Sequence, residues 1–208
     1  MVTSSFESKF PQYRHRHRKK LAMKTLVIVS HPQFEQSHVV RALMQTALKH
    51  PGAQVRHLEA LFGNDPSKID VIQEQRAHDG VDRVVYLYPM HWFNLTPMLK
   101  AYLNQVWTYG WAFGPDGHAL RGKSMQVVVS AGASAQTYSH SGLIQSTAEE
   151  VLTPMKASAL YVGMNYLPPL VFHDAMGPSD ESLGAMQTAL TTCLNGSPAP
   201  ANNKVETV

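Results

Sequence analysis

The chain has 208 residues, is 44% apolar and 16% charged, and carries 18 Lys and Arg against 15 Asp and Glu. That composition supports one packed domain of ordinary size and excludes wholesale disorder, and no apolar run reaches the ~18–20 residues of a membrane helix. A single cysteine, Cys193, excludes an intrachain disulfide and a cysteine-based zinc site, and suits a reducing cytoplasm.

The basic excess sits at the start. Residues 1–22 hold six basic side chains, including Arg14, Arg16, Arg18, Lys19 and Lys20, against Glu7 alone. The remaining chain is mildly acidic and has no overall field for nucleic acid, which is not an expected partner. No apolar stretch follows the charges, so this is not a secretory signal. It reads as a disordered basic extension. The run 14–20 could also touch nucleic acid, anionic lipid or an acidic partner, and its composition resembles an organellar transit peptide. The domain is expected over 23–195, followed by a flexible tail over 196–208.

Lys24–Ser30 is a short apolar, β-branched run, the pattern of a strand buried on both faces. A loop over 31–36 leads to Ser37, a good N-cap for a helix to about His50. Gln54–Leu58 predicts an edge strand, and Ile69 to His78 a modest helix. Arg83–Tyr88 predicts a third strand, stopped by Pro89. Met98, Leu99, Tyr102, Leu103, Val106 and Trp107 recur at helical spacing, giving a helix over 96–108. Ser124–Ser130 predicts a fourth buried strand. A helix over about 143–160, bent at Pro154, a fifth strand over Leu167–Phe172 and a last helix to about Leu194 complete the pattern. Five alternations of strand and helix call for one parallel sheet with helices on both faces. Ligands of such sheets sit beyond the carboxyl ends of the strands.

Four loops there carry candidate chemistry. His31, Ser37 and His38 flank a helix N-terminus, a natural seat for phosphate, although Ser37 could simply cap and His31 simply end a strand. There is no glycine-rich dinucleotide fingerprint and no Walker A loop. Tyr88–Pro97 presents Trp92 and Phe93, either as a stacking surface for a planar heteroaromatic or as core. Trp107 to Gly114 holds aromatics that would line a pocket or bury in a partner subunit. Ser130-Ala-Gly-Ala is a small-residue turn that lets a ring approach the backbone. No nucleophile elbow and no zinc spacing occurs in the core, and Glu149-Glu150 reads as a solvated face.

His31-Pro32 with Ser37-His38, Ile69-Asp70 with Glu74-Gln75, Pro89-Met90-His91-Trp92-Phe93, Pro97-x-Leu99-Lys100, Gly110 to Gly114, Leu120-x-Gly-Lys123 and Gly163 to Pro169 occur in one order. In that order they resemble the flavodoxin-like NAD(P)H:quinone oxidoreductases. The nearest likeness is to the ancillary flavoproteins of bacterial glutathione-gated potassium-efflux systems, over about residues 24–195. The resemblance implies a five-stranded parallel sheet of order 2-1-3-4-5 and FMN, rather than FAD, at the strand ends. It implies phosphate at His31, Ser37, His38, Val39 and Val40. The isoalloxazine would lie against Pro89, Met90, His91, Trp92 and Phe93 and the turn Ser130, Ala131, Gly132 and Ala133. It further implies ping-pong transfer of two electrons from NAD(P)H to a quinone, a homodimer, and Tyr138 as lid or proton donor. The alternative it carries is a regulatory subunit of a potassium-efflux transporter, cytoplasmic or peripheral to the inner membrane. The chain departs from its relatives' pattern at Val40, where they carry asparagine, and at Ser130–Ala133, where they carry Thr-Thr-Gly-Gly. Those departures remove polar contacts to a flavin.

Overall fold

In the computed structural model, which describes residues 23–196, the centre of the molecule is set by a few β-branched residues. β1 (Thr25–Val29) is buried at all five positions. Successive side chains of a strand face opposite ways. Leu26 and Ile28 therefore enter one hydrophobic cluster, and Val27 and Val29 another. β3 (Arg83–Pro89) and β4 (Ser124–Ser130) repeat the division: Val84, Tyr86, Val127 and Val129 on one side, Val85, Leu87 and Val128 on the other.

Strands buried on both faces need helices on both. α1 (Val39–Leu48) and α7 (Asp180–Leu194) cover the second cluster with Val40, Leu43, Met186 and Leu190. α2 (Leu58–Phe62), α3 (Val71–Ala77), α4 (Pro97–Val106) and α6 (Thr153–Tyr161) cover the first with Leu58, Leu99, Tyr102 and Met155. Every ladder is parallel, in the expected order, with the half-exposed β2 (Ala53–His57) at one edge. No helix among the described residues is long and apolar enough to cross a membrane.

Three details differ from the sequence reading. The fifth position of the sheet holds two short segments, β5 (Asn165–Tyr166) and β6 (Leu170–Phe172), both paired to β4. Pro168 and Pro169 between them have no N–H to donate, so the ladder cannot run through. The sheet thus has six strand segments rather than five. The helix expected over 143–160 starts only at α5 (Ala148–Val151), where Thr147 and Glu150 form a reciprocal capping box, and breaks before α6. Pro154 sits in the first turn of α6, where a missing N–H is tolerated, so it opens a helix instead of bending one. α2 was not expected; it follows β2 directly and ends at Gly63, whose φ is 64°. The extension over 1–22 and the tail from 197 onward lie outside the described residues.

Two buried ionic groups tie the layers together. The Arg83 guanidinium donates to the carbonyls of Cys193 (2.7 Å) and Leu194 (2.9 Å) and to Thr25 Oγ1 (3.0 Å), fixing the end of α7 to β1 and β3. Glu74, fully buried on α3, accepts from the Arg56 guanidinium of β2 and from the Tyr102 hydroxyl of α4 at 3.1 Å.

His78, just past α3, is 1% exposed. Its Nδ1–H donates to the Glu74 carbonyl at 2.9 Å, and Nε2 has no partner among the described residues. Burial, opposed by that hydrogen bond, pushes its pKa down to about 4. An unfolded chain takes up this proton near pH ~6.5, well before the native state does. Stability is therefore full above that pH and should fall by about 3 kcal/mol as pH drops toward 4. Urea unfolding across this window checks it: His78→Gln should flatten the pH slope by about one proton.

Candidate functional site

The central strands end in register. Pro89 of β3 pairs with Ser130 of β4, and the Ser30 amide donates to the Leu87 carbonyl at 3.1 Å. The loops leaving β1, β3 and β4 therefore emerge side by side.

The first loop is anchored by a carboxylate. Glu59 on α2 accepts from the Ser30 hydroxyl at 2.6 Å and from the His31 amide at 3.0 Å. The Ser30 hydroxyl also meets Thr96 Oγ1 at the start of α4. His31 Nδ1 accepts from the Gln33 amide at 3.1 Å, which places the ring proton on Nε2. Burial, with His91 and His57 nearby, lowers the His31 pKa, so the neutral ring is a hydrogen-bond donor and not a cation. Ser37 is extended (φ −83°, ψ 119°), and its Oγ accepts from the Val40 amide at 3.1 Å. It caps α1, as expected. His38 is already helical (φ −77°, ψ −49°). The His38 and Val39 amides lie in the first turn, where no intrahelical acceptor exists. Val39 and Val40 are buried in the second hydrophobic cluster, so their side chains face away from any ligand over this turn. A cleft of about 450 Å³ opens between this loop and α2, lined by His31, Phe34, His57, Glu59 and Asn64.

The second loop turns on two aromatic residues. Met90 donates its amide to the Ser130 carbonyl at 2.8 Å. His91 and Asn94 then exchange N–H···O bonds at 3.0 and 2.9 Å around Trp92 and Phe93. Both central residues have positive φ, 46° and 63°, a backbone that normally selects Asn-Gly. Trp92 is 91% exposed and Phe93 44%.

The third loop begins at Ser130. Ala131 is fully buried; its amide donates to the Phe172 carbonyl at 2.8 Å and its carbonyl accepts from Ala175. A Cβ on Gly132 would come within 3.1 Å of Met176, which covers that side of the turn. Ala133 accepts from the Asp174 amide at 3.3 Å. Further on, the Tyr138 hydroxyl donates to Met90 Sδ at 3.2 Å. Its ring lies 6.0 Å from Phe93 and 5.4 Å from His173. Burial raises the Tyr138 pKa, so the phenol keeps its proton. His140 contacts both carboxylate oxygens of Glu150, tying this loop to α5.

Met90, Phe93, Ser130 and Tyr138 thus meet at one place, and His31 stands close enough to His91 to depress its own titration. The side chains of Val39, Val40 and Ala131 are turned into the core. Trp107 and Trp111 are partly buried and pack against the first hydrophobic cluster. They pack edge-on against Tyr86 and His78 within the chain's own core. Tyr109 stays 70% exposed. Sequence reasoning missed Glu59, which sits on the unexpected α2, and His173, whose Nδ1 is buried without a partner among the described residues. Its position after the fifth strand was the available signal.

A family model described as flavodoxin-like fold matches residues 23–193. The chain is 36% identical over 161 residues to the glutathione-regulated potassium-efflux system ancillary protein KefF of Klebsiella aerogenes, covering 77% of this chain and 88% of that protein. The structure of general stress protein 14 of Treponema denticola in complex with FMN superposes with a TM-score of 0.78 at 34% identity, over 83% of this chain and 98% of that one. An NADPH-quinone reductase of P. pentosaceus gives a TM-score of 0.75 at 26% identity, over the same shares of the two chains.

Replacing Ser37 by Ala removes the acceptor for the Val40 amide and should cost about 1 kcal/mol of stability. Ser37→Asp keeps the cap and should cost little. Urea midpoints of the two variants check this.

Proposed function

This chain belongs to the flavodoxin-like fold family, and from that premise we propose that it is an FMN-dependent NAD(P)H:quinone oxidoreductase. The observation that carries the reading is the meeting of the three loops at the strand ends: an anion seat, an aromatic turn and a small-residue turn held in register. The FMN complex and the NADPH-quinone reductase among its structural relatives support it.

The residues present fit FMN. The first-turn amides of α1, the Ser37 hydroxyl proton and His31 Nε2–H form a donor set for the phosphate, with the helix dipole behind it. Pro89–Phe93 and Ser130–Ala133 would flank the ring. His173 stands beside the second of these, its ring against the Ala133 backbone. Bound FMN would supply hydride acceptance from NAD(P)H and two-electron delivery to the quinone, donor and acceptor using the cleft in turn. The chain's own part is placement and a proton. The Met90 amide locks the aromatic turn to β4, and Glu59 holds the His31 loop. The Tyr138 phenol, protonated and near Phe93, is the candidate donor to the reduced acceptor.

Exposed Tyr109 and Tyr161, with Phe113 between them at 5.8 Å from each, form an aromatic seam suited to a homodimer. A second reading follows from the likeness to the potassium-efflux ancillary protein. In it the chain docks on the cytoplasmic side of a membrane transporter, and its reductase activity is secondary.

The test is an absorption spectrum before and after excess FMN and removal of the unbound fraction, followed by NADH and NADPH oxidation with a quinone. Retained flavin bands and quinone-dependent oxidation, with parallel double-reciprocal plots, are expected. A colourless protein that oxidises neither donor would overturn the proposal. Ser37→Asp places a carboxylate at the anion seat while keeping the helix cap, so it should weaken FMN binding at least about tenfold without loss of fold. Tyr138→Phe should bind FMN normally and lose about a hundredfold in kcat. An unchanged kcat would remove Tyr138 from the chemistry.

A further inference from the structure

We propose that Glu59 is a specificity residue of the anion seat: its carboxylate fixes the first loop and, through its charge, keeps the grip on a phosphate monoester loose. The proposal rests on the FMN reading and adds to it a residue that acts against the phosphate. Glu59 is the second residue of α2. Its Oε1 accepts from the Ser30 hydroxyl at 2.6 Å and its Oε2 from the His31 amide at 3.0 Å. Ser30 is fully buried, and its Oγ also meets Thr96 Oγ1, which accepts from the Leu99 amide at 3.4 Å. A chain of hydrogen bonds thus runs from the first turn of α4 through two hydroxyls to the carboxylate, and holds it against the loop that carries His31.

The charge is little shielded and poorly matched. The Glu59 side chain is 10% exposed, so water screens it less than it would a surface carboxylate. Its ion-pair contact among the described residues is His57, whose Nε2 lies 3.5 Å away. Burial outweighs Glu59 and Glu35 and lowers the His57 pKa, and burial lowers that of His31 as well. The cleft that Glu59 lines has a second acid, Glu35, in its walls and neither Lys nor Arg. Arg41 of α1 is exposed and donates to the Glu35 carbonyl at 3.4 Å. A phosphate monoester carries about 1.5 to 2 negative charges at pH 7. Riboflavin presents the same ring without that phosphate. Repulsion from Glu59 therefore falls on FMN and spares riboflavin, and the ratio of the two affinities isolates it from anything the ring does.

The experiment titrates FMN and riboflavin into the full chain and its variants, following flavin fluorescence. Glu59→Gln keeps the side-chain shape and an acceptor oxygen and removes the charge. It should raise the affinity for FMN relative to riboflavin at least about threefold. Ser30→Ala cuts one tie to the loop and leaves the charge, so it should not raise that ratio. Asn64→Lys adds a cation at an exposed position in the wall of the same cleft, without touching the hydrogen bonds of Glu59, and should move the ratio in the same direction as Glu59→Gln. It carries the test alone if Glu59→Gln does not fold. A ratio unchanged or lowered in these two variants would overturn the proposal. So would an equal rise in Ser30→Ala, because freedom of the loop and not charge would then be the cause. If the unaltered chain binds neither flavin, the FMN reading itself fails and this proposal falls with it.

Discussion

The molecule is governed by the burial of its three central strands on both faces. Every position of β1, and nearly every position of β3 and β4, is buried, so the strand interiors offer no side chain to a ligand. Polar function is expelled to the last residues of the strands and the loops that leave them. Because the strands are parallel and in register, those residues all emerge along one edge. Ser30, Pro89 and Ser130 mark it. The site is thus a consequence of how the core is filled.

That edge is held by groups that are themselves buried. Glu59 takes the Ser30 hydroxyl and the His31 amide, and His57 Nε2 lies 3.5 Å from the same carboxylate. A carboxylate so close to the proposed anion seat would work against a bound phosphate, and a His31 whose pKa is lowered by burial would add little positive charge to offset it. The proposed seat would therefore depend mainly on amides and the dipole of α1, which do not titrate. Arg83 and Glu74 do similar work deeper in the fold, each joining three elements through a charge that would be costly to bury unpaired.

Much of this was legible in the sequence. The continuous apolar runs at 25–29, 83–88 and 124–130 could only be doubly buried strands, and their alternation with amphipathic segments fixed a parallel sheet. Ser37, Thr96 and Ser179 each stand where a cap was needed. The failures have local causes. Residues 143–146 carry no strong stop signal, and the expected helix runs past the capping box at Thr147 and Glu150 that marks the observed start. The expected strand over 167–172 contains Pro168-Pro169, neither of which can donate to a ladder. α2 is only five residues long, too short for periodicity to show, and Glu59 was hidden with it. The fate of Val40 and Ala131 depended on which way each faced, and that is decided by packing against α7 and β6.

The turn at Trp92 and Phe93 sets two aims against each other. Both residues hold a left-handed backbone that costs roughly 1–2 kcal/mol each for a side chain with a Cβ, and Asn-Gly would adopt it with ease. Selection for heat resistance alone would therefore replace this pair early. The gain in melting temperature would strip the strand edge of its aromatic surface. A library screened only for survival on heating would enrich well-folded proteins that had lost the part of the surface most suited to flat ligands.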